Sequence, residues 1–116
     1  MVDTEMIAMQ LIAGAGDAKG SAFDALNEAS EGRFEEAQKL IKEASKATLP
    51  AHKMQMDLLV EQANGEKVPV DILMVHAQDH LMTSELAQDL IRELLSLYER
   101  VYALEQEVKQ LKGEKE

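Results

Sequence analysis

Apolar residues along this chain advance by threes and fours, the spacing that gathers side chains onto one face of an α-helix. Near the start Ile7, Leu11, Gly14, Ala18, Ala22, Ala25 and Ala29 follow it. In the middle Phe34, Ala37, Ile41, Ala44, Thr48 and Ala51 do the same, beside a parallel row of Leu40, Ala44, Ala47, Ala51, Met54 and Leu58. Toward the end Leu90, Leu94, Leu97, Val101, Leu104, Val108 and Leu111 alternate by four and three, which is a coiled-coil seam. Two interruptions divide the pattern: Glu31-Gly32-Arg33, and Asn64-Gly65-Glu66-Lys67-Val68-Pro69. Gly and Asn favour helix C-termini and Pro fits just ahead of a new helix. The pattern therefore predicts helices over 3–30, 33–63 and 71–111. Asp71 is placed to cap the third by accepting backbone N–H bonds.

Short connections make consecutive helices antiparallel neighbours, so the expected fold is all-α, an up-down-up three-helix bundle occupying 1–116 as a single domain. Ala and Gly in the first two helices let the backbones approach closely. Gly14, Gly16 and Gly20 lie inside the first helix and predict a kink or a tight crossing; Pro50 predicts a bend in the second. At 1.5 Å per residue the third helix is roughly 60 Å long against roughly 42–46 Å for the others. The residues after about 100 are thus a helical extension overhanging the bundle, yet they keep the apolar seam through Val108 and Leu111. A parallel coiled-coil stem made with other copies of the chain would cover it; a solvated tail is the plainer alternative.

Composition narrows the function. The 116 residues carry 22 Asp+Glu and 12 Lys+Arg, a formal charge of −10, which argues against nucleic acid or an anionic membrane as the main partner. Cysteine is absent, so disulfides, zinc–thiolate sites and thiol nucleophiles are excluded. Aromatic residues make up 3% and there is no Trp, as suits a helical protein rather than a sheet. No basic-then-apolar leader opens the chain and no apolar run nears the ~20 residues that span a bilayer, so a cytoplasmic protein without membrane insertion is expected.

The candidate chemistry lies in Val75-His76-Ala77-Gln78-Asp79-His80-Leu81-Met82-Thr83. On a helical wheel with His76 as origin, His80 falls near +40° and Asp79 near −60°, within the arc that also holds Ile72, Leu86, Leu90 and Leu94. A carboxylate buried there without a partner would be costly. No second carboxylate lies three or four residues from Asp79, so one chain cannot build an oxygen-rich metal site. Three copies around an axis, completed by water, would suit Mg²⁺ or a similar divalent cation. A bond from Asp79 to His80 or to another helix is the competing role. His76 is a candidate nucleophile, since a neutral imidazole nitrogen accepts a phosphoryl group at physiological pH. A packing or interface histidine fits the spacing as well. His80 is a same-side neighbour able to donate a hydrogen bond. Gln78 points elsewhere on the wheel and would reach the site only from a neighbouring chain or a bent helix. His52 stands alone on the second helix, in a solvated or packing role.

The string His76-Ala77-Gln78-Asp79-His80-Leu81-Met82 resembles the signature of the enzyme IIA component of the lactose/cellobiose (N,N′-diacetylchitobiose) branch of the bacterial phosphoenolpyruvate:sugar phosphotransferase system. The resemblance runs from about Met6 to Tyr98 and includes Leu11 to Lys19, Ala25-Leu26, Gly32 to Ala37, Ala51-His52 and Leu90 to Arg100. It implies a homotrimer of three-helix bundles. It implies that His76 takes a phosphoryl group from phospho-HPr and passes it to a cysteine of the IIB component, with the IIC permease served indirectly. It implies that Asp79 from each of three chains binds a divalent cation at the axis, and that Gln78 and His80 lie around the phosphorylation site. Partner proteins would dock on a shallow apolar groove at His76. Pro50 and the length of chain after Arg100 depart from the expected pattern. Two other readings stay open on the residues alone: a structural homotrimeric coiled-coil adaptor, and a small metal-binding helical bundle.

Overall fold

A computed structural model describes residues 3–115 as three helices: α1 (Thr4–Ser30), α2 (Phe34–Ala63) and α3 (Ile72–Lys115). Met1, Val2 and Glu116 of the expected single domain lie outside the described residues. The starts of α1 and α3 are set by carboxylate caps. Asp3 Oδ1 accepts from the Met6 amide at 3.1 Å, and Asp71 Oδ1 accepts from the Met74 amide at 2.9 Å, the role expected of it.

The first two helices end in the same way. Arg33 N donates to Glu28 O at 2.9 Å and Gly32 N to Ala29 O at 3.0 Å; Glu66 N donates to Glu61 O at 3.0 Å and Gly65 N to Gln62 O at 3.1 Å. These paired bonds require a left-handed residue at each stop, and Gly32 (φ 81°) and Gly65 (φ 90°) supply it. The Arg33 guanidinium also donates to the Glu28 carboxylate, and this hydrogen bond holds Glu28 below the usual carboxylate range. The pair therefore contributes above the ordinary Glu range and is lost as pH falls through the lowered value.

The two glycines differ in their surroundings, which yields a test. A Cβ on Gly32 would sit 3.3 Å from Tyr102 Cε2, whereas one on Gly65 would meet nothing within 4 Å. Gly65→Ala should cost about 1 kcal/mol from left-handed strain alone. Gly32→Ala should cost about 2 kcal/mol, because the Tyr102 ring must also yield. Urea unfolding of both variants measures the difference.

Packing follows from the small residues of α1. Of its seven buried positions six are alanine, Leu11 being the exception. α1 packs along both other helices, while α2 and α3 touch each other over much less of their length. A groove is left between α2 and α3. The internal glycines mark no crossing that requires them: a Cβ on Gly14 would lie in ordinary contact 3.5 Å from Ala51 Cβ, and Gly16 and Gly20 face open space. α2 continues through Pro50 as one helix, with Pro50 on its exposed side, where water can serve the carbonyl that the missing N–H leaves. The molecule measures 74 × 21 × 20 Å, its long dimension set by α3.

One expectation changes here. The buried seam of α3 is Met74, Ala77, Leu81, Ser84, Gln88, Ile91 and Leu95. The more hydrophobic row from Leu90 to Leu111 faces outward, with Leu90 56% exposed and Leu104 60%. The arc that carries Asp79 is likewise on the outer face: Ile72 is 89% exposed and Leu86 59%. Asp79 is itself exposed and bears no burial cost in the protomer. Ser84 and Gln88 are accommodated in the core because they bond each other and α2. Gln88 Nε2 donates to Thr48 Oγ1 at 2.7 Å and lies 3.4 Å from Ser84 Oγ, and the Thr48 hydroxyl donates to Ala44 O at 2.9 Å.

Candidate functional site

The first two turns of α3, started by Asp71, carry the candidate residues. His76 is exposed and His80, one turn on, is half-buried. Their rings meet edge to face, with centroids 4.7 Å apart and planes at 85°. The i, i+4 spacing thus brings the two imidazoles together, as the wheel requires. Asp79 sits on the outer apolar stripe between Ile72 and Val75 on one side and Met82 and Leu86 on the other. Its backbone carbonyl accepts from Thr83 Oγ1 at 2.7 Å. Among the described residues, no three His, Asp or Glu side chains converge within one chain.

Gln78 turns the other way. Its Oε1 accepts from Gln55 Nε2 on α2 at 2.6 Å, and its own Nε2 lies 3.5 Å from Met74 Sδ. It does not meet His76 within the chain. The two residues flank the outer stripe from opposite sides, about 160° apart across it on the ideal helix. Gln55 also reaches Met82 Sδ at 3.4 Å, so this one α2 residue spans a full turn of α3.

An apolar cleft lies on the Gln78 flank. It has a volume of about 290 Å³ and opens between the end of α2, the 64–71 connection and the start of α3. Leu58, Leu59, Val68, Val70, Met74 and Val75 line it with Gln55, Gln62 and Gln78, and His76 is not among its walls. The cleft contains no charged side chain. Farther along the same groove His52 Nδ1 lies 2.9 Å from Glu85 Oε1, so His52 is partnered rather than alone. Arg92 bonds Asp89 at 2.9 Å and also reaches the Ser45 hydroxyl. Gln55 and Glu85 carry no signal in the sequence, since their roles depend on which residues of α2 and α3 come level. The only visible hint is the gap between the helices that an Ala-coated α1 leaves.

The outer face therefore presents a solvent-accessible imidazole beside a second imidazole, next to a carboxylate set in an apolar stripe. That arrangement suits a nucleophile reached by a large partner rather than an enclosed small-molecule pocket. Comparison with known proteins agrees with this character. The family profile of the PTS system lactose/cellobiose-specific IIA subunit matches residues 6–99. The lactose-specific EIIA component of Staphylococcus epidermidis is 39% identical over 98 residues, 84% of this chain and 94% of that protein. Among solved structures, the cellobiose-specific enzyme IIA of Bacillus anthracis is similar with a TM-score of 0.85 at 37% identity, covering 89% of this chain and 94% of that one. The IIA(Chitobiose) chain of the IIA–HPr complex from the Escherichia coli N,N′-diacetylchitobiose branch gives 0.75 at 37% identity, covering 88% and 99%. On the extent of these matches, the chain belongs to the lactose/cellobiose-specific IIA family of the phosphotransferase system.

Proposed function

We propose that this chain is a phosphocarrier in which His76 accepts a phosphoryl group from the phosphohistidine of HPr and delivers it to a cysteine of a IIB component. The observation that carries the reading is the exposed His76 imidazole with His80 edge-on at 4.7 Å, in a chain of this family. A ring nitrogen of His76 attacks phosphorus as the donor's P–N bond breaks, and a P–N bond forms on His76. In the second step the IIB thiolate attacks phosphorus and the His76 P–N bond breaks, returning the imidazole. Such transfers depend on in-line positioning and on stabilising charge over the phosphoryl oxygens. His80 can donate to one of those oxygens. HPr as partner is supported by the similarity to the IIA(Chitobiose) chain solved with HPr. The IIC permease is served indirectly, during uptake of a lactose-, cellobiose- or chitobiose-type sugar that this chain need not touch. Work in the cytoplasm fits a chain in which, among the described residues, no helix is long and apolar enough to cross a membrane.

The outer stripe of α3 is the surface on which we place a homotrimer. In a parallel ring, the Gln78 flank of one chain meets the His76 flank of the next. Gln55 occupies the carbonyl end of the Gln78 amide; one N–H of its other end points to Met74 Sδ and the second is left for a phosphoryl oxygen on that neighbour. Asp79 from each of three chains then faces the axis. Three carboxylates with water form an oxygen donor set suited to Mg²⁺, whose contribution there is to neutralise like charges. Asp79→Leu should abolish divalent-cation binding, read by Mn²⁺ paramagnetic resonance, while sedimentation still shows the trimer. Cation binding retained in the variant would overturn the axial site.

Incubation with phosphoenolpyruvate, enzyme I and HPr tests the phosphocarrier. An acid-labile phosphate on the chain is expected. A chain that stays unlabelled beside competent donors is an adaptor or a metal-binding bundle instead.

A further inference from the structure

The α3 helix runs on past the bundle and past the residues that the family profile matches. The family profile ends at residue 99, whereas α3 runs to Lys115. Tyr102 is the last anchor to the bundle in view: its ring packs edge to face on Phe34 with centroids 5.5 Å apart, and it borders Gly32. Beyond it the side chains through residue 113 are exposed except Gln106, which is half-buried. A helix emerging alone into water has no need of apolar residues, yet Leu97, Val101, Leu104, Val108 and Leu111 hold a strict four–three spacing and all lie outward.

The charges beside that row carry the argument. With Val101 and Val108 at the first core position of each heptad and Leu97, Leu104 and Leu111 at the second, the flanking positions are Arg100 and Glu107 on one side and Glu105 and Lys112 on the other. In a parallel, in-register coiled coil, each residue of the first flank meets the residue five further along in the next chain. Arg100 then faces Glu105 of the next copy, and Glu107 faces Lys112, opposite charges in both cases. A slip of one heptad forward sets Arg100 against Lys112, and a slip backward sets Glu107 against Glu105, like charges in both cases. Among the described residues, none of the four is engaged in an ion pair within its own chain.

We propose that residues 97–111 form a register-setting stem that joins this chain to further copies of itself, in parallel and in register. The stem continues the outer stripe that begins at Ile72, so one unbroken face serves the whole length of α3. Val at the first core position and Leu at the second are compatible with two strands as well as more. The number of chains is therefore fixed by the bundle segment, as proposed above, and the stem fixes alignment.

The absence of cysteine permits a clean test in the full chain. Leu104→Cys should form a disulfide between identical positions under mild oxidant, giving a linked pair on denaturing gels. Arg100→Glu with Glu107→Lys sets like charges at every inter-chain pair and should raise the concentration of half-dissociation roughly tenfold or more. Adding Glu105→Arg and Lys112→Glu should restore it. An associated wild type with no Leu104→Cys cross-link, or with dissociation indifferent to these reversals, overturns the stem and leaves the bundle trimer standing. A wild type that is monomeric throughout overturns both.

Discussion

Replacing His76 by glutamine should abolish phosphoryl uptake from phospho-HPr completely, with no acid-labile phosphate and no onward transfer to IIB. Glutamine keeps a polar side chain of similar reach, but its amide nitrogen has a delocalised lone pair and cannot attack phosphorus. No slower route replaces it, because a transfer between two proteins begins only when a nucleophile is held in line with the donor's P–N bond. His76 is exposed, so the substitution leaves the core untouched, and circular dichroism and the unfolding midpoint should match wild type. That separation of chemistry from fold is what makes the variant decisive. His80→Ala is expected to behave differently. It removes a hydrogen bond to an anionic group, which is worth about 1.5 kcal/mol. Transfer should slow about tenfold, with the final amount of label unchanged. A His76→Gln protein that still carries acid-labile phosphate would place the acceptor elsewhere, with His80 and His52 the remaining imidazoles.

Which features could be read from the sequence depends on how local their causes are. The helix limits were legible because caps and stops act within a few residues: Asp71 binds the Met74 amide, and Gly32 and Gly65 take the left-handed φ at the stops. The string from His76 to His80 was legible because i, i+4 geometry alone brings the two imidazoles together. The direction of Gln78 away from His76 was legible on the wheel, but its partner was not. Gln55 becomes relevant only when α2 and α3 lie side by side with residue 55 level with 78 and 82. The pairing of His52 with Glu85 has the same non-local origin. The face of α3 that enters the core was not legible, for a different reason. Hydropathy favours the row of Leu90, Leu94, Leu97 and Val101 over one interrupted by Ser84 and Gln88. A bundle with an alanine-faced α1 can bury the weaker row because Thr48 satisfies Gln88, and so the stronger row stays available outside.

That distinction yields a second large effect, a contrast between two leucines nine residues apart. Leu81 is 0% exposed in the cluster formed with Leu11, Ala15, Ala51 and Met74, whereas Leu90 is 56% exposed on the outer stripe. Leu81→Ala should destabilise the folded chain by about 3–4 kcal/mol, because the lost methyl groups leave a cavity that rigid helix backbones close only in part. For a domain with roughly 5–15 kcal/mol of total stability this is a large fraction, and some protein is expected to unfold near body temperature. Leu90→Ala removes the same atoms from a protomer surface already in water and should leave the unfolding of an isolated chain nearly unchanged. Its loss should instead appear in association, as a rise in the concentration at which copies separate. Denaturant unfolding and sedimentation of both variants, each run over a range of protein concentrations, keep the two effects apart. If Leu90→Ala proved as damaging as Leu81→Ala at concentrations where the chain is monomeric, the outer row would be core and the placement of α3 in the bundle would be wrong. If instead its effect vanished on dilution while that of Leu81→Ala persisted, one helix would be serving two interfaces, one within the chain and one between chains.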